Sequence, residues 1–258
     1  MGHNRAASVR AAESSNTAGL AYHIRGRADG NKVALTFDDG PNPPCTEQIL
    51  DILASQEARA TFFLIGKWVE RWPRTVERIA AGGHAIGNHS YLHAWHICDY
   101  DLAEASICHV IGKPTKYIRA QSFDYDACAL SPLSRDHYLI DASVNPADWA
   151  LTEPKEVLAG VMNDPELDGG AIIDLHDGWE IDDVAQRLRR PQPMIEALPK
   201  LIVQLRDQGY QLVTLDELVL DEPLYWRGAR DPRDVVQVRK GQLMTDTTGL
   251  PTRGREVQ

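Results

Sequence analysis

Short apolar runs alternate along the chain with segments whose apolar residues recur at helical spacing. Runs rich in β-branched, aliphatic and aromatic residues predict strands, and apolar residues three or four apart predict helices. The strands are predicted at 33–35, 60–65, 84–87, 117–119, 138–142, 171–176 and 211–213, and the helices at 46–55, 73–81, 102–111, 156–162 and 194–208. This alternation indicates an α/β fold with a mostly parallel sheet.

The number of strand-helix units, about seven, suits a barrel better than an open sheet. We therefore expect residues 31–220 to form a (β/α) barrel. Residues 1–30 are rich in small and polar residues and predict a flexible leading segment. Residues 221–258 are polar and interrupted by Pro and Gly, which predicts an irregular tail with one short strand at 235–238.

The composition is that of an ordinary globular protein. Of 258 residues, 43% are hydrophobic and 25% charged, and no apolar run approaches the roughly 20 residues that span a bilayer. The N-terminal segment 1–31 lacks the apolar core of a secretory signal, so we expect a cytoplasmic location. The net charge of -10 argues against nucleic acid and anionic membranes as partners and favours a neutral or cationic ligand. The sequence leaves the oligomeric state open.

The four cysteines show no C-x-x-C spacing, which argues against a zinc site built from cysteine. They are Cys45, Cys98, Cys108 and Cys128. We expect all of them to be reduced. Cys45 lies just after the first strand, and we expect a buried thiol there.

Ionisable side chains stand directly after the predicted strands. They are Asp38, Asp39, His89, Arg119, Asp148 and His176. In a parallel barrel the carboxyl ends of the strands converge on one face, where active sites are built. Surface charges scattered along the chain would not fall at one strand end after another, so these residues predict a single site.

Two adjacent carboxylates, Asp38 and Asp39, end the first strand, and Gly-Pro then turns the chain. Neighbouring strand residues point to opposite faces, so the two carboxylates are not expected to share one role. One would bind a metal and the other would move a proton. The alternative is a solvated loop with an Asx turn, and this segment alone does not decide between them.

His89 and His93 are four residues apart. On a helical turn this spacing places both imidazoles on one face, a common way to present two metal ligands. Taken alone, such a pair is more often a surface or core feature. Together with one carboxylate of the first strand end, the pair gives a set of two His and one Asp that leaves metal positions open for water and substrate.

These motifs resemble those of the NodB-type polysaccharide deacetylases over residues 32–218. The resemblance is most specific at residues 36–41 and 89–93, and residues 36–53 are especially similar to rhizobial chitooligosaccharide deacetylases. It implies a distorted (β/α) barrel and a divalent metal. That metal is usually Zn²⁺, with Co²⁺, Ni²⁺ and Mn²⁺ as alternatives.

The resemblance also implies a role for each residue of the predicted site. The implied metal ligands are Asp39, His89 and His93. Asp38 would be the general base that activates the attacking water, and Arg119 would orient it. His176 would be the general acid that protonates the leaving amine, with its pKa raised by Asp148.

The sequence departs from the family pattern where the substrate would bind. The family's Arg-x-Pro-Tyr segment ends here in Gln121 and Ser122, and Ser122 still offers a backbone N–H for an oxyanion. The family's Asp-x-x-Asp-Trp begins here with Asn145 and keeps Trp149. We assign Gln121, Ser122 and Trp149 to the substrate side.

Asp174 stands where the family has a leucine that lines the pocket for the acetyl methyl group. A carboxylate against a methyl group costs desolvation free energy. We expect Asp174 to be functional, either as an extra acid or base or as a contact for an ammonium or hydroxyl group. The alternative is that it turns toward a nearby arginine.

Three hypotheses about function follow. The preferred one is a metal-dependent deacetylase, an amide hydrolase that acts on an N-acetylated amino sugar, a small oligosaccharide or an amino-sugar-containing metabolite. The second is an epimerase, isomerase or lyase with the same metal and base, in which Asp38 and either Asp174 or His176 carry protons at a carbon. The third is a non-catalytic binding protein, which the intact site residues make the least favoured.

Overall fold

The computed structural model describes residues 26, 30–94, 97–123, 137–179, 184–219, 224–227, 235–239 and 242–245. Its main strands are β1 (Lys32–Gly40), β2 (Thr61–Leu64), β3 (Ala85–Asn88), β4 (Tyr117–Ile118), β5 (Tyr138–Leu139), β6 (Ile172–His176) and β7 (Gln211–Val213). Within the described residues these seven strands form one parallel sheet in the order β5-β4-β3-β2-β1-β6, with β7 against β1. Each predicted strand is therefore present.

Helices follow most of these strands. They are α1 (Cys45–Ser55), α2 (Gly66–Arg71), α3 (Pro73–Ala81), α4 (Tyr100–Ile111), α5 (Pro154–Met162), α6 (Val184–Arg189), α7 (Gln192–Asp207) and α8 (Leu215–Val219). The short helices α2, α6 and α8 were not predicted, because five or six residues show too little periodicity. In the described part of the chain, no helix has the length and apolar character needed to cross a membrane.

The sheet is organised around β1, the longest strand of the sheet. β1 pairs with β6 on one side, while β2 pairs with its carboxyl-terminal half and β7 with its first residues. A bridge between Val144 and Ile173 continues the sheet beyond β6. The sheet thus curls into a half-barrel with helices outside, which confirms the predicted fold class.

Alternation along β1 and β6 separates the hydrophobic core from the site. Val33, Leu35 and Phe37 pack with the helices in the larger apolar cluster. The residues between them face the inside of the curl, where Ala34 is apolar and Thr36 is buried and polar. The same alternation in β6 places Ile172, Asp174 and His176 on one face. The inner face therefore becomes polar toward the carboxyl ends of the strands.

Two expectations about the rest of the chain are corrected. The segment predicted as an irregular tail contains three antiparallel strands in the described residues, β8 (Leu224–Arg227), β9 (Val235–Arg239) and β10 (Gln242–Thr245). The strand predicted at 235–238 is the middle one. Cys98 is disulfide-bonded, so the expectation of reduced cysteines is wrong there, while Cys45 and Cys108 form no disulfide and Cys45 is buried. Apart from residues 26 and 30, the predicted leading segment lies outside the described residues.

Candidate active site

The carboxyl end of β1 brings both of its aspartates to the same histidine. Asp38 Oδ2 lies 3.6 Å and Asp39 Oδ1 lies 3.5 Å from His89 Nε2. Strict alternation would have separated the two carboxylates, but the pairing register with β2 shifts between Asp38 and Gly40, and Asp39 has a left-handed φ of 73°. The prediction that they lie on opposite faces is therefore wrong, and what distinguishes them is their other partners.

Asp39, His89 and His93 form one cluster of candidate metal ligands, with one ligand atom of each within 4.8 Å of the others. His93 Nε2 lies 3.6 Å from Asp39 Oδ1. The two imidazole rings are 4.5 Å apart between centroids. The structure thus brings together the three residues that the sequence singled out as metal ligands.

The segment from His89 to His93 is not helical, in contrast to our expectation. It follows β3 as a loop in which Ser90 and His93 have left-handed φ values of 66° and 55°. His93 N–H donates to Ser90 Oγ at 3.0 Å. The loop therefore brings the two rings together by a tight backbone turn and not by helical spacing.

The chemistry of this cluster fits a divalent metal. His89 Nδ1–H donates to the carbonyl oxygen of Arg119 at 2.8 Å, and a carbonyl can only accept, so the neutral ring keeps Nε2 free to bind a metal. Ligand atoms around a tetrahedral Zn²⁺ lie about 3.3 Å from one another. The distances of Asp39 Oδ1 to the two imidazoles, 3.5 and 3.6 Å, are close to that value. Among the described residues, no hydrogen-bond donor reaches the buried Asp39 Oδ1.

The electrostatics of the cluster also favour a cation. Burial alone would raise the pKa of Asp39, but His93 and His89 outweigh it and lower that pKa below the usual range. Burial likewise opposes a charged His89, yet Asp38 and Asp39 raise the pKa of this imidazole. The carboxylates thus draw positive charge into the site, and a bound metal would supply it in place of protons.

Arg119 lies fully buried at the end of β4 and holds Asp38. Its Nη1 donates to Asp38 Oδ1 at 2.8 Å and to Thr36 Oγ1 at 2.8 Å. Further N–H groups donate to the backbone carbonyls of Ile140 and Asp141. A buried guanidinium with so many partners fixes the position of the Asp38 carboxylate.

Asp174 is 2% exposed and shares this guanidinium. Arg119 Nη1 donates to Asp174 Oδ1 at 3.2 Å, and Asn145 Nδ2 donates to Asp174 Oδ2 at 3.0 Å. Burial, followed by the charge of Asp38, raises the pKa of Asp174 to about 7. Of the roles considered for Asp174, the contact to a nearby arginine is the one present in the structure.

Asp38, Asp174 and His176 make a second group with metal-ligand geometry, again within 4.8 Å. Arg119 Nη1 already lies against both of its carboxylates. Because a buried arginine stays protonated, a metal in this second group would face its positive charge at close range. We therefore infer that the cation between Asp38 and Asp174 is the guanidinium of Arg119 and not a metal.

His176 and Asp148 form a pair on the other side of the site. His176 Nδ1–H donates to Asp148 Oδ1 at 2.8 Å, and the backbone N–H of His176 donates to Asp148 Oδ2 at 3.0 Å. Burial favours the neutral ring, but Asp148 and Asp174 outweigh it and raise the pKa of His176 well above its usual value. Trp149 meets the His176 ring edge-to-face, with centroids 4.8 Å apart.

Gln121 and Ser122 lie in a short 3-10 turn that follows Arg119. Ser122 is exposed and has left-handed backbone angles, φ 50° and ψ 25°. The turn thus begins two residues after the buried guanidinium and carries the chain to the surface. Their assignment to the substrate side stays a prediction.

Sequence reasoning missed residues that support the site. Thr36 accepts from Arg119 and, two residues before Asp38 on the same strand, could have been found from the period of two. The backbone N–H groups of Asp177 and Gly178 donate to the carbonyl oxygen of Asp38 at 3.1 and 3.3 Å. No local signal indicates this contact, because it joins β6 to β1.

Comparison with known proteins places the chain in a family. Residues 25–127 match the polysaccharide deacetylase family. A chitooligosaccharide deacetylase from Rhizobium leguminosarum bv. trifolii is 33% identical over 203 residues, which cover 74% of this chain and 93% of that protein. The chain therefore belongs to the polysaccharide deacetylase family.

Solved structures of the same family are similar in fold. The Bc1960 peptidoglycan N-acetylglucosamine deacetylase has a TM-score of 0.69 and 28% identity, covering 78% of this chain and 94% of that one. BA3943, a CE4 family pseudoenzyme from Bacillus anthracis, has a TM-score of 0.65 and 25% identity, covering 76% and 67%. The relatives thus include deacetylases of chitooligosaccharides and peptidoglycan, and a pseudoenzyme.

Proposed function

We propose that the protein is a metal-dependent deacetylase that hydrolyses the amide of an N-acetylated amino sugar, a small oligosaccharide or an amino-sugar-containing metabolite. One observation carries the proposal: a carboxylate and an imidazole, each oriented by a hydrogen-bond partner, stand at paired positions of β1 and β6. Asp38 pairs with His176 in the strand register, and Arg119 and Asp148 hold their side chains. The candidate metal ligands lie directly beside them.

Asp39, His89 and His93 would hold the metal, for which we propose Zn²⁺, with Co²⁺, Ni²⁺ and Mn²⁺ as alternatives. When bound, such a metal polarises an acyl oxygen and lowers the pKa of water. The set of one carboxylate and two imidazoles suits these borderline ions better than Mg²⁺ or Ca²⁺, which prefer oxygen ligands.

Asp38 would accept a proton from the water that attacks the acyl carbon. Its hydrogen bond from Arg119 keeps the carboxylate in one orientation. His176 would donate a proton from Nε2 to the amide nitrogen as the C–N bond breaks, so that acetate and a free amine leave. Asp148 holds Nδ1 and raises the pKa of the ring, which keeps this acid protonated at neutral pH.

The substrate class follows from the relatives and from charge. The chitooligosaccharide deacetylase relative supports an N-acetylated sugar, and a net charge of -10 favours a neutral substrate and a cationic product. We propose that Trp149 contributes an apolar face beside His176, and that Gln121 and Ser122 contact the substrate from the turn after Arg119.

The position of Asp174 supports a second candidate function. A third ionisable group close to Asp38 and His176 could return a proton to a carbon, as an epimerase or isomerase requires. Its contacts with Arg119 and Asn145 compete with such a role, because both carboxylate oxygens already accept hydrogen bonds. Deacetylation therefore remains the preferred function.

One experiment separates these functions. Zinc-loaded protein is incubated with N-acetylated chitooligosaccharides and amino sugars in deuterium oxide, and products are followed by NMR. We expect acetate release without deuterium on carbon. Carbon-bound deuterium without acetate would establish the epimerase instead.

Asp38→Asn tests whether Asp38 is the general base. We expect this variant to lose acetate release by at least a factor of about 100, since a positioned general base contributes that much or more. A variant as active as the wild type would refute the assignment of Asp38 as base.

A further inference from the structure

The loop between His89 and His93 needs an external support, because it is not a regular element. Two of its residues, Ser90 and His93, have left-handed φ values, which cost free energy for residues other than glycine. Such a backbone persists only where surrounding groups fix it. The partners of the loop's N–H groups therefore decide where the His93 ring lies.

Asp99 supplies the largest part of that support. Its Oδ1 accepts the backbone N–H of Tyr91 at 2.9 Å, and its Oδ2 accepts the N–H of Leu92 at 2.8 Å. Both oxygens of one buried carboxylate are thus used on consecutive N–H groups immediately before His93. Hydrogen bonds to an ionised acceptor are stronger than neutral ones.

The position of Asp99 in the chain makes this use unusual. It is the N-cap residue of α4, where an aspartate normally accepts an N–H of its own helix. Here its side chain makes no capping hydrogen bond. The carboxylate instead accepts hydrogen bonds from the loop, so it mainly stabilises the segment between the two histidines.

Other contacts fix the rest of the loop and leave the backbone N–H groups of residues 91 and 92 to Asp99. Asn88 Oδ1 accepts the N–H of Ser90 at 3.0 Å, and Ser90 Oγ accepts the N–H of His93. On the carbonyl side, the N–H groups of Gly66 and Lys67 at the start of α2 donate to the loop at 2.9 and 3.1 Å. The N–H groups of four consecutive residues are thus paired, two of them by Asp99.

We propose that Asp99 is a positioning residue for the metal centre: it fixes the loop that places the His93 ring beside Asp39 and His89. This inference rests on the proposed function, because it presupposes that those three residues bind a metal. Loss of the Asp99 carboxylate would leave the ligands in the protein but release the loop that aligns them. Metal affinity, and not only stability, would then fall.

The test compares metal-free wild type with Asp99→Asn, which keeps the size of the side chain but replaces one acceptor oxygen with a donor. The probe is Zn²⁺, titrated in competition with a chromophoric chelator at a temperature where circular dichroism shows each variant folded. We expect Zn²⁺ affinity to fall about tenfold or more, as for other groups that orient metal ligands. A purely structural role would lower the melting temperature of the metal-free protein without changing Zn²⁺ affinity in the folded state.

The matched control is Asp101→Asn, which removes the same charge from the exposed first turn of α4. We expect its affinity to stay within about twofold of the wild type. Ser90→Ala serves as a milder variant should Asp99→Asn not fold, since it releases only the N–H of His93. We expect a smaller loss of affinity from it, in the same direction.

Asp39→Asn removes a proposed metal ligand. It distinguishes failure of the positioning role of Asp99 from failure of the proposed metal site. If Asp39→Asn weakens Zn²⁺ binding while Asp99→Asn and Ser90→Ala bind like the wild type, the positioning role is overturned and the metal site stands. If the wild type itself binds Zn²⁺ no better than Asp39→Asn, the proposed metal site is overturned and the positioning role with it.

Discussion

Replacement of Asp174 by Asn should change how stability depends on pH. The carboxyl group is 2% exposed and lies beside Asp38, and burial and that neighbouring charge raise its pKa to about 7. In the unfolded chain the same group has a pKa of about 3.9. Asp174→Asn removes this titration, keeps the size of the side chain, and still offers one oxygen to Arg119.

The sign and size follow from the two pKa values. Between pH 4 and pH 7 the folded protein holds a proton on Asp174 that the unfolded chain has lost, so the free energy of unfolding falls as pH rises. About three pKa units correspond to about 4 kcal/mol above pH 7, of which roughly 3 kcal/mol develop between pH 5 and pH 8. The asparagine variant should therefore gain about 3 kcal/mol relative to the wild type over this interval.

Urea unfolding at pH 5 and pH 8 measures the effect directly. With a denaturant slope of about 3 kcal/mol/M for a chain of this size, the midpoint of Asp174→Asn should rise by about 1 M relative to the wild type between the two pH values. Asp207→Asn, an exposed carboxylate at the end of α7, is the control. Its difference from the wild type should be the same at both pH values.

A pH-independent difference between Asp174→Asn and the wild type would refute the reasoning. It would mean that Asp174 titrates like an exposed carboxylate. Asp38 and Asp174, which both contact the guanidinium of Arg119, would then be stabilised by something other than a retained proton. A constant offset is expected in addition to the pH-dependent difference, because contacts are lost where Asn145 Nδ2 would face the new amide.

Three further changes test other parts of the molecule. Burial, followed by the charge of Arg59, lowers the pKa of His84 to about 4. The free energy of unfolding should therefore fall as pH drops from 6.5 toward 4, because the unfolded chain binds a proton that the folded protein does not. His84→Asn should remove this dependence in urea unfolding. Asp148→Asn should lower the pKa of His176 and shift the alkaline limb of the kcat/KM profile to lower pH by about one unit or more, because the acid would lose its proton earlier. Gly40→Ala should cost about 1–3 kcal/mol in thermal unfolding, because the added methyl would overlap the Asp177 carboxylate.

The strand ends that carry the site could be predicted because parallel sheets place them together. An apolar run followed by Asp, His or Arg marks such an end in the sequence, and the paired register of β1 and β6 then sets Asp38 beside His176. The same rule brings the ends of β1 and β3, with Asp39 and His89, to one edge of the sheet, whereas the loop after β3 places His93. Here the sequence pattern and the sheet geometry carry the same information.

The backbone of the loops could not be predicted in this way. Four-residue spacing suggested a helical turn between His89 and His93, whereas the structure has a loop fixed by Asp99. Asp99, which accepts the N–H groups of the loop, lies too far along the sequence for a periodic pattern to link it to them. The contact of Asn145 with Asp174 has the same character, since the two residues are brought together by the bridge between Val144 and Ile173.

The different surroundings of Asp38 and Asp39 depend on the backbone at the end of β1 more than on strand alternation. A regular strand would point Asp39 away from the inside of the curl, but its left-handed φ and the shifted register return the carboxylate to His89 and His93. Asp38, still in register with β6, meets Arg119 instead. Two adjacent carboxylates thus face two different cationic environments, one permanently charged and one suited to a metal. The left-handed φ of Asp39 costs free energy for a residue other than glycine, and such a conformation persists only where the surrounding structure fixes it.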